Sequence, residues 1–139
     1  MKWQELATTS HYETAVAVKQ EMLKGNLAEA TAGIEELIEA LSRSDKRALR
    51  SQLIRLMSHI IKWQTQPEQR TRSWAVTIEN ARIEIEEILE LEPSLQPSIP
   101  ALLHDLFSKA RRVAELEMNQ KTSCNELSWY EVFDQEYRL

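Results

Sequence analysis

The chain has 139 residues, of which Ala, Leu, Glu, Lys and Arg supply 66, while Gly and Pro together supply six. So few breakers cannot mark a turn roughly every 8–12 residues, which excludes a β-sandwich or barrel. No apolar run nears the roughly 20 residues of a membrane span, and a net charge of −5 disfavours generic nucleic-acid binding over the whole surface.

Residues 1–9 are expected to be flexible, and MKWQELATTS has no apolar stretch of the kind a secretory signal carries. The single cysteine, Cys124, closes no internal disulfide, which together with the missing signal points to a reducing, cytoplasmic setting. A first helix is expected over about 10–24, with Tyr12, Ala15, Val16, Met22 and Leu23 as its apolar face. Gly25 suits the left-handed position that ends many helices. Asn26 and Glu29 make an N-cap pair for a second helix, whose Leu27, Ala30, Ile34, Leu37 and Leu41 recur at helical spacing. In the third helix Leu49, Leu53, Leu56, Ile60 and Trp63 recur likewise, widened by Ile54, Met57 and Ile61 into a stripe that belongs in a core.

Pro67 interrupts the pattern, and TQPEQRT reads as a connection. A fourth helix starts near Ser73 and carries Trp74, Ile78, Ala81, Ile85 and Ile88. Pro93, Pro97 and Pro100 mark the next corner, where Ser98 is placed to cap a fifth helix with Pro100 in its first turn. Ile99, Leu103, Leu106, Ala110 and Val113 give that helix its seam. Residues 120–139 read as an irregular tail, with Ser128 and Glu131 forming a capping box for a short aromatic helix. The expectation is an all-α fold: a single domain over 1–139, built as an up-and-down bundle of about five helices plus a short C-terminal one.

Charge is segregated along the chain. Residues 43–72 hold eight basic side chains against Asp45 and Glu68, whereas residues 79–92 hold six glutamates against Arg82. The plainest arrangement sets the basic helix beside acidic ones, so that each answers the other.

The segments IEELIEALSRSDKRALRSQL (34–53), HIIKWQTQPEQRTRSW (59–74) and TIENARIEI (77–85) resemble the mainly cyanobacterial domain of unknown function 29 family. The resemblance runs over roughly residues 11–137 and is most specific in KWQTQP followed by RTRSW. His59, Lys62, Trp63, Gln66, Pro67, Arg70, Ser73, Trp74 and Arg82 match its signature, while Asn125 stands after Cys124 where that family tends to place a proline. What the resemblance implies is a small helical protein with no assigned activity.

Chemistry-bearing motifs are sparse. No histidine has a glutamate three residues before it, and no His-x-x-x-His or cysteine pair occurs, so no metal site and no cofactor are expected. Gly25 and Gly33 belong to no phosphate loop, and Cys124 has no neighbouring base in sequence. The candidate anion- or partner-binding residues are Lys62, Arg70, Arg72, Arg82 and His59. Beside them Trp63, Pro67, Ser73 and Trp74 form a structural corner, in which both indoles close one end of the core. The leading expectation is a non-enzymatic interaction or regulatory module whose partner is a protein, with no membrane role and an oligomeric state left open. The alternative is nucleic-acid or phosphate binding through 43–72; an enzyme with a site near His59 ranks third.

Overall fold

In the computed structural model, which describes all of residues 1–139, 82% of the chain is helical and no strand forms. Five α-helices occur: α1 (Trp3–Thr9), α2 (His11–Leu23), α3 (Leu27–Thr65), α4 (Arg72–Leu91) and α5 (Ile99–Met118). A 3₁₀ turn (Pro67–Gln69) precedes α4, a 3₁₀ segment (Pro93–Ser98) precedes α5, and a π-helical turn (Tyr130–Asp134) lies in the tail. No helix is long and apolar enough to cross a membrane. By packing, the chain divides into two compact units, Met1–Arg47 and Ala48–Leu139.

The second and third helices expected from the sequence are one continuous helix, α3, of 39 residues. The stretch SRSDKRA between them contains no glycine or proline to end it. The two apolar stripes keep separate registers. Leu41 and Leu49 are eight residues apart rather than seven, which rotates the second stripe by about 100° around the same helix.

In the N-terminal unit, the segment expected to be flexible forms α1, which ends at Ser10; the Ser10 hydroxyl then accepts the Glu13 amide at 3.1 Å and caps α2. Trp3 docks α1, burying its ring with Val18 and Ala30 while its indole N–H donates to Glu29 at 2.9 Å. Gly33 makes this docking feasible: a Cβ there would stand 2.7 Å from both Trp3 and Val18. Gly25 takes φ +84° and ends α2 as expected, with the Asn26 amide reaching back to the Glu21 carbonyl at 2.9 Å. Glu29 thus serves Trp3 rather than the Asn26 cap, and the Asn26 side chain donates to Glu21 instead.

The faces of this unit differ from the sequence reading. α2 buries Thr14 and Val18, leaving Tyr12, Val16, Met22 and Leu23 exposed. α3 buries the small residues Ala30, Gly33 and Ala40, leaving Leu27, Ile34, Ile38 and Leu41 exposed. The reason is steric: α1 and Trp3 need close approach to α3, and only the small-residue face allows it.

The C-terminal unit has the larger core. Leu49, Leu53, Leu56, Ile60 and Trp63 of α3 meet Ile78, Ala81 and Ile85 of α4 and Ile99, Leu106 and Ala110 of α5. These are the seams expected from period, and Ala114, Val132 and Tyr137 complete them. α4 is capped by Thr71, whose hydroxyl accepts the Trp74 amide at 3.1 Å. Ser98 leaves α5 uncapped, because its hydroxyl donates to the Leu95 carbonyl. The end of α3, the start of α4 and the end of α5 come together around Lys62, so within this unit the three helices run up, down and up.

Candidate functional site

Gln64 and Thr65 at the end of α3, and Gln66 just after it, each hold a piece of the tail. Gln64 donates to Glu131 at 2.6 Å, Thr65 shares a hydrogen bond with Thr122 at 2.8 Å, and Gln66 donates to Gln120 at 2.8 Å. Successive helix residues point about 100° apart. The contacts of Gln64 and Thr65, with that of Gln66 beyond the helix, therefore place the tail around the end of α3 rather than along it. Thr122 anchors the wrap: its amide donates to Glu115 at 2.8 Å and its carbonyl accepts Arg111 at 3.1 Å. The capping box closes as expected, with the Glu131 amide on the Ser128 hydroxyl and the Ser128 amide on the Glu131 carboxylate.

Lys62 sits one turn inside this clasp and is only 6% exposed. Its neighbours Ile61 and Trp63 are core residues, and its ammonium donates to the Glu117 carboxylate at 2.6 Å. The same nitrogen lies 5.0 Å from the Trp74 ring centroid, so a carboxylate and a π face together replace the lost water.

Arg70 folds back over the helix it follows. Its Nε donates to the Trp63 carbonyl at 2.8 Å and its guanidinium lies 4.8 Å from the Trp63 ring centroid, placing a cation on free carbonyls at a helix C-terminus. Arg82 does the same for the π-helical turn, donating to the Val132 carbonyl at 2.9 Å and the Glu131 carbonyl at 3.3 Å. Its guanidinium lies 5.4 Å from the Tyr137 ring, and that ring meets Trp63 edge-on at 5.7 Å. The Tyr137 hydroxyl donates to the Glu131 carbonyl at 2.6 Å, and burial pushes its pKa up to about 12.

Lys62, Arg70, Arg82, Trp63 and Trp74 thus come together as one cluster of cations on aromatic rings. His59 stands apart, with Nδ1–H donating to the Arg55 carbonyl at 2.9 Å. Burial lowers its pKa, partly offset by the bond to the Arg55 carbonyl, so it is a neutral imidazole at pH 7. Pro67, Arg72 and Ser73 are exposed at the corner and make no side-chain hydrogen bond or ion pair.

The charge pairing expected from the sequence is not the one that forms. Arg43 meets Glu39 at 3.6 Å on its own helix and Lys62 meets Glu117, whereas the glutamates of 79–92 form no ion pair. Arg50 and Arg55 likewise have none.

The residues that sequence reasoning did not single out are Gln64, Thr65, Glu117, Gln120, Thr122 and Tyr137. Their contacts span 54 to 74 positions where they bridge α3 to the tail, a separation no local period records. The one local signal is the Ser128/Glu131 box, which announces that the tail is ordered.

Cys124 donates its thiol hydrogen to the Glu126 carbonyl at 3.4 Å, and burial raises its pKa, which keeps it a thiol. No group of three or more His, Cys, Asp or Glu side chains is placed to hold a metal ion.

A family model described as a domain of unknown function, DUF29, matches residues 25–137, a span that contains the whole clasp. No curated protein and no solved structure matches the chain.

Proposed function

The chain belongs to the DUF29 family, and we propose that it works in the cytoplasm by binding another protein, without catalysing a reaction. The observation that carries this reading is the unpartnered apolar stripe on α3. Leu27, Ile34, Ile38 and Leu41 lie within about 60° of arc at helical pitch, and Leu27 and Ile38 are 69% and 60% exposed. Four aliphatic side chains in register on one helix face form a seam, the surface an amphipathic partner helix recognises. Tyr12, Val16 and Leu23 make a second exposed stripe on α2 of the same unit. In the clasp, by contrast, Lys62, Arg70 and Arg82 already have internal partners, which leaves Arg72 alone among the candidate anion-binding arginines there.

A photo-reactive amino acid placed at position 38 in native cells tests the reading. A discrete covalent adduct with one protein is the expected result. Adducts with nucleic acid, or none from position 38 while position 72 labels nucleic acid, would overturn it.

A further inference from the structure

The C-terminal unit offers a surface of different chemistry from the α3 stripe. A cleft of about 250 Å³ opens between α4, the start of α5 and the π-helical turn of the tail. Its apolar lining includes Ile85 and Leu89 of α4, and its aromatic side is Trp129 and Phe133, whose rings lie 4.5 Å apart at 47°. Trp129 is 45% exposed, an unusual position for an indole with apolar side chains within reach. Two exposed carboxylates, Glu86 and Asp134, complete the lining, and neither forms an ion pair.

The one cation in the lining is already engaged. Arg82 gives its N–H groups to the Glu131 and Val132 carbonyls and its π contact to Tyr137. Around the cleft, α4 carries five glutamates, also without ion pairs, two of which, Glu79 and Glu90, share the flank of Glu86 at spacings of seven and four. Such a face repels phosphate and attracts a basic group. The volume suits one long side chain rather than a cofactor-sized ligand. Apolar walls for a methylene stem, ring faces for stacking and two carboxylates for a planar head together describe arginine.

We propose that this cleft receives an arginine side chain from a basic segment of a partner protein. The aromatic pair stacks on the guanidinium, and Glu86 and Asp134 accept its N–H groups. The site does not depend on the α3 stripe, since none of its lining residues lies in the N-terminal unit.

Titrating the full chain with a tetra-arginine peptide amide, read by tryptophan emission and by calorimetry, tests this. Binding at low salt is expected, weakened at least tenfold by Glu86→Gln with Asp134→Asn, and at least fivefold by Trp129→Ala. Glu84→Gln with Glu87→Gln removes equal charge elsewhere on α4 and should change affinity less than twofold. Circular dichroism identical to the parent secures the comparison, since all five positions are exposed. Equal weakening by both charge pairs with no effect of Trp129→Ala would mean diffuse attraction to an acidic face and would overturn the site. So would absence of binding. A concentration-dependent dimer that the peptide dissociates would put a second copy's arginines in the cleft and overturn a separate partner.

Discussion

Gly33→Ala sets two known effects against each other, and the structure decides the sign. Replacing a mid-helix glycine by alanine removes backbone freedom from the unfolded chain and stabilises by about 0.5–1 kcal/mol where space allows. Space does not allow it here, because the new methyl would stand 2.7 Å from both Trp3 and Val18 and 2.8 Å from a second Trp3 ring carbon. The ring is rigid and Val18 is β-branched, so relief requires α1 to move off α3. Overpacking of this kind typically costs about 1–3 kcal/mol. The balance is a loss of roughly 1 kcal/mol, concentrated in the docking of α1. Hydrogen exchange of the amides in 3–9 should therefore speed up by about fivefold, while amides of the C-terminal unit keep their rates. Unchanged or slower exchange in α1, with a gain in overall stability, would refute the packing account of Gly33.

Trp63→Ala should destabilise the chain by about 3–5 kcal/mol in urea unfolding, because its ring also seats Tyr137 and Arg70; Arg72→Glu should change stability by less than about 0.5 kcal/mol. A double-mutant cycle of Lys62→Met and Glu117→Gln should give a coupling of about 1–2 kcal/mol, above the 0.2–1 typical of exposed pairs, because the ammonium is buried while Glu117 stays half exposed. A coupling under about 0.3 kcal/mol would show that the pair is an ordinary surface contact. Stability should fall as pH falls: burial lowers the pKa of His59, so protonation below its usual 6.5 favours the unfolded chain. A second loss follows below 4.5, where the backbone bonds of Thr122 and Ser128 hold Glu115 and Glu131 ionised in the fold. Urea midpoints measured from pH 7.5 to 4 check this, and a midpoint that rises on acidification would contradict it.

Much of the C-terminal unit is legible in the sequence, because its three seams recur at helical spacing and each buries against the others. The corner is legible for a related reason: Trp63 and Trp74 fall at the ends of two seams on either side of Pro67, which forces the chain to reverse. What the sequence hides is of two kinds. In the N-terminal unit, large side chains at helical spacing suggest a core face, but the docking of Trp3 needs Ala30 and Gly33, so the small residues turn inward and the aliphatic seam turns out. In the clasp, the partners of Gln64, Thr65 and Gln66 lie more than 50 positions away, and polar residues without period give no sign of which ones will meet. The charge pattern misled for a physical reason as well. Segregated blocks suggest pairing, yet the glutamates of α4 stay unpaired on an exposed flank.

If the α3 stripe recruits a protein, its aliphatic residues and not Arg72 hold that protein. Affinity capture from native cells, with the full chain, with Ile34→Ser and Ile38→Ser combined, and with Arg72→Glu, each washed at low and at high salt, measures it most directly. One protein should be retained by the parent and by Arg72→Glu at both salts, and lost with the serine pair. Retention that ignores the serine pair, or that vanishes at high salt and with Arg72→Glu while nucleic acid co-elutes at low salt, would contradict it.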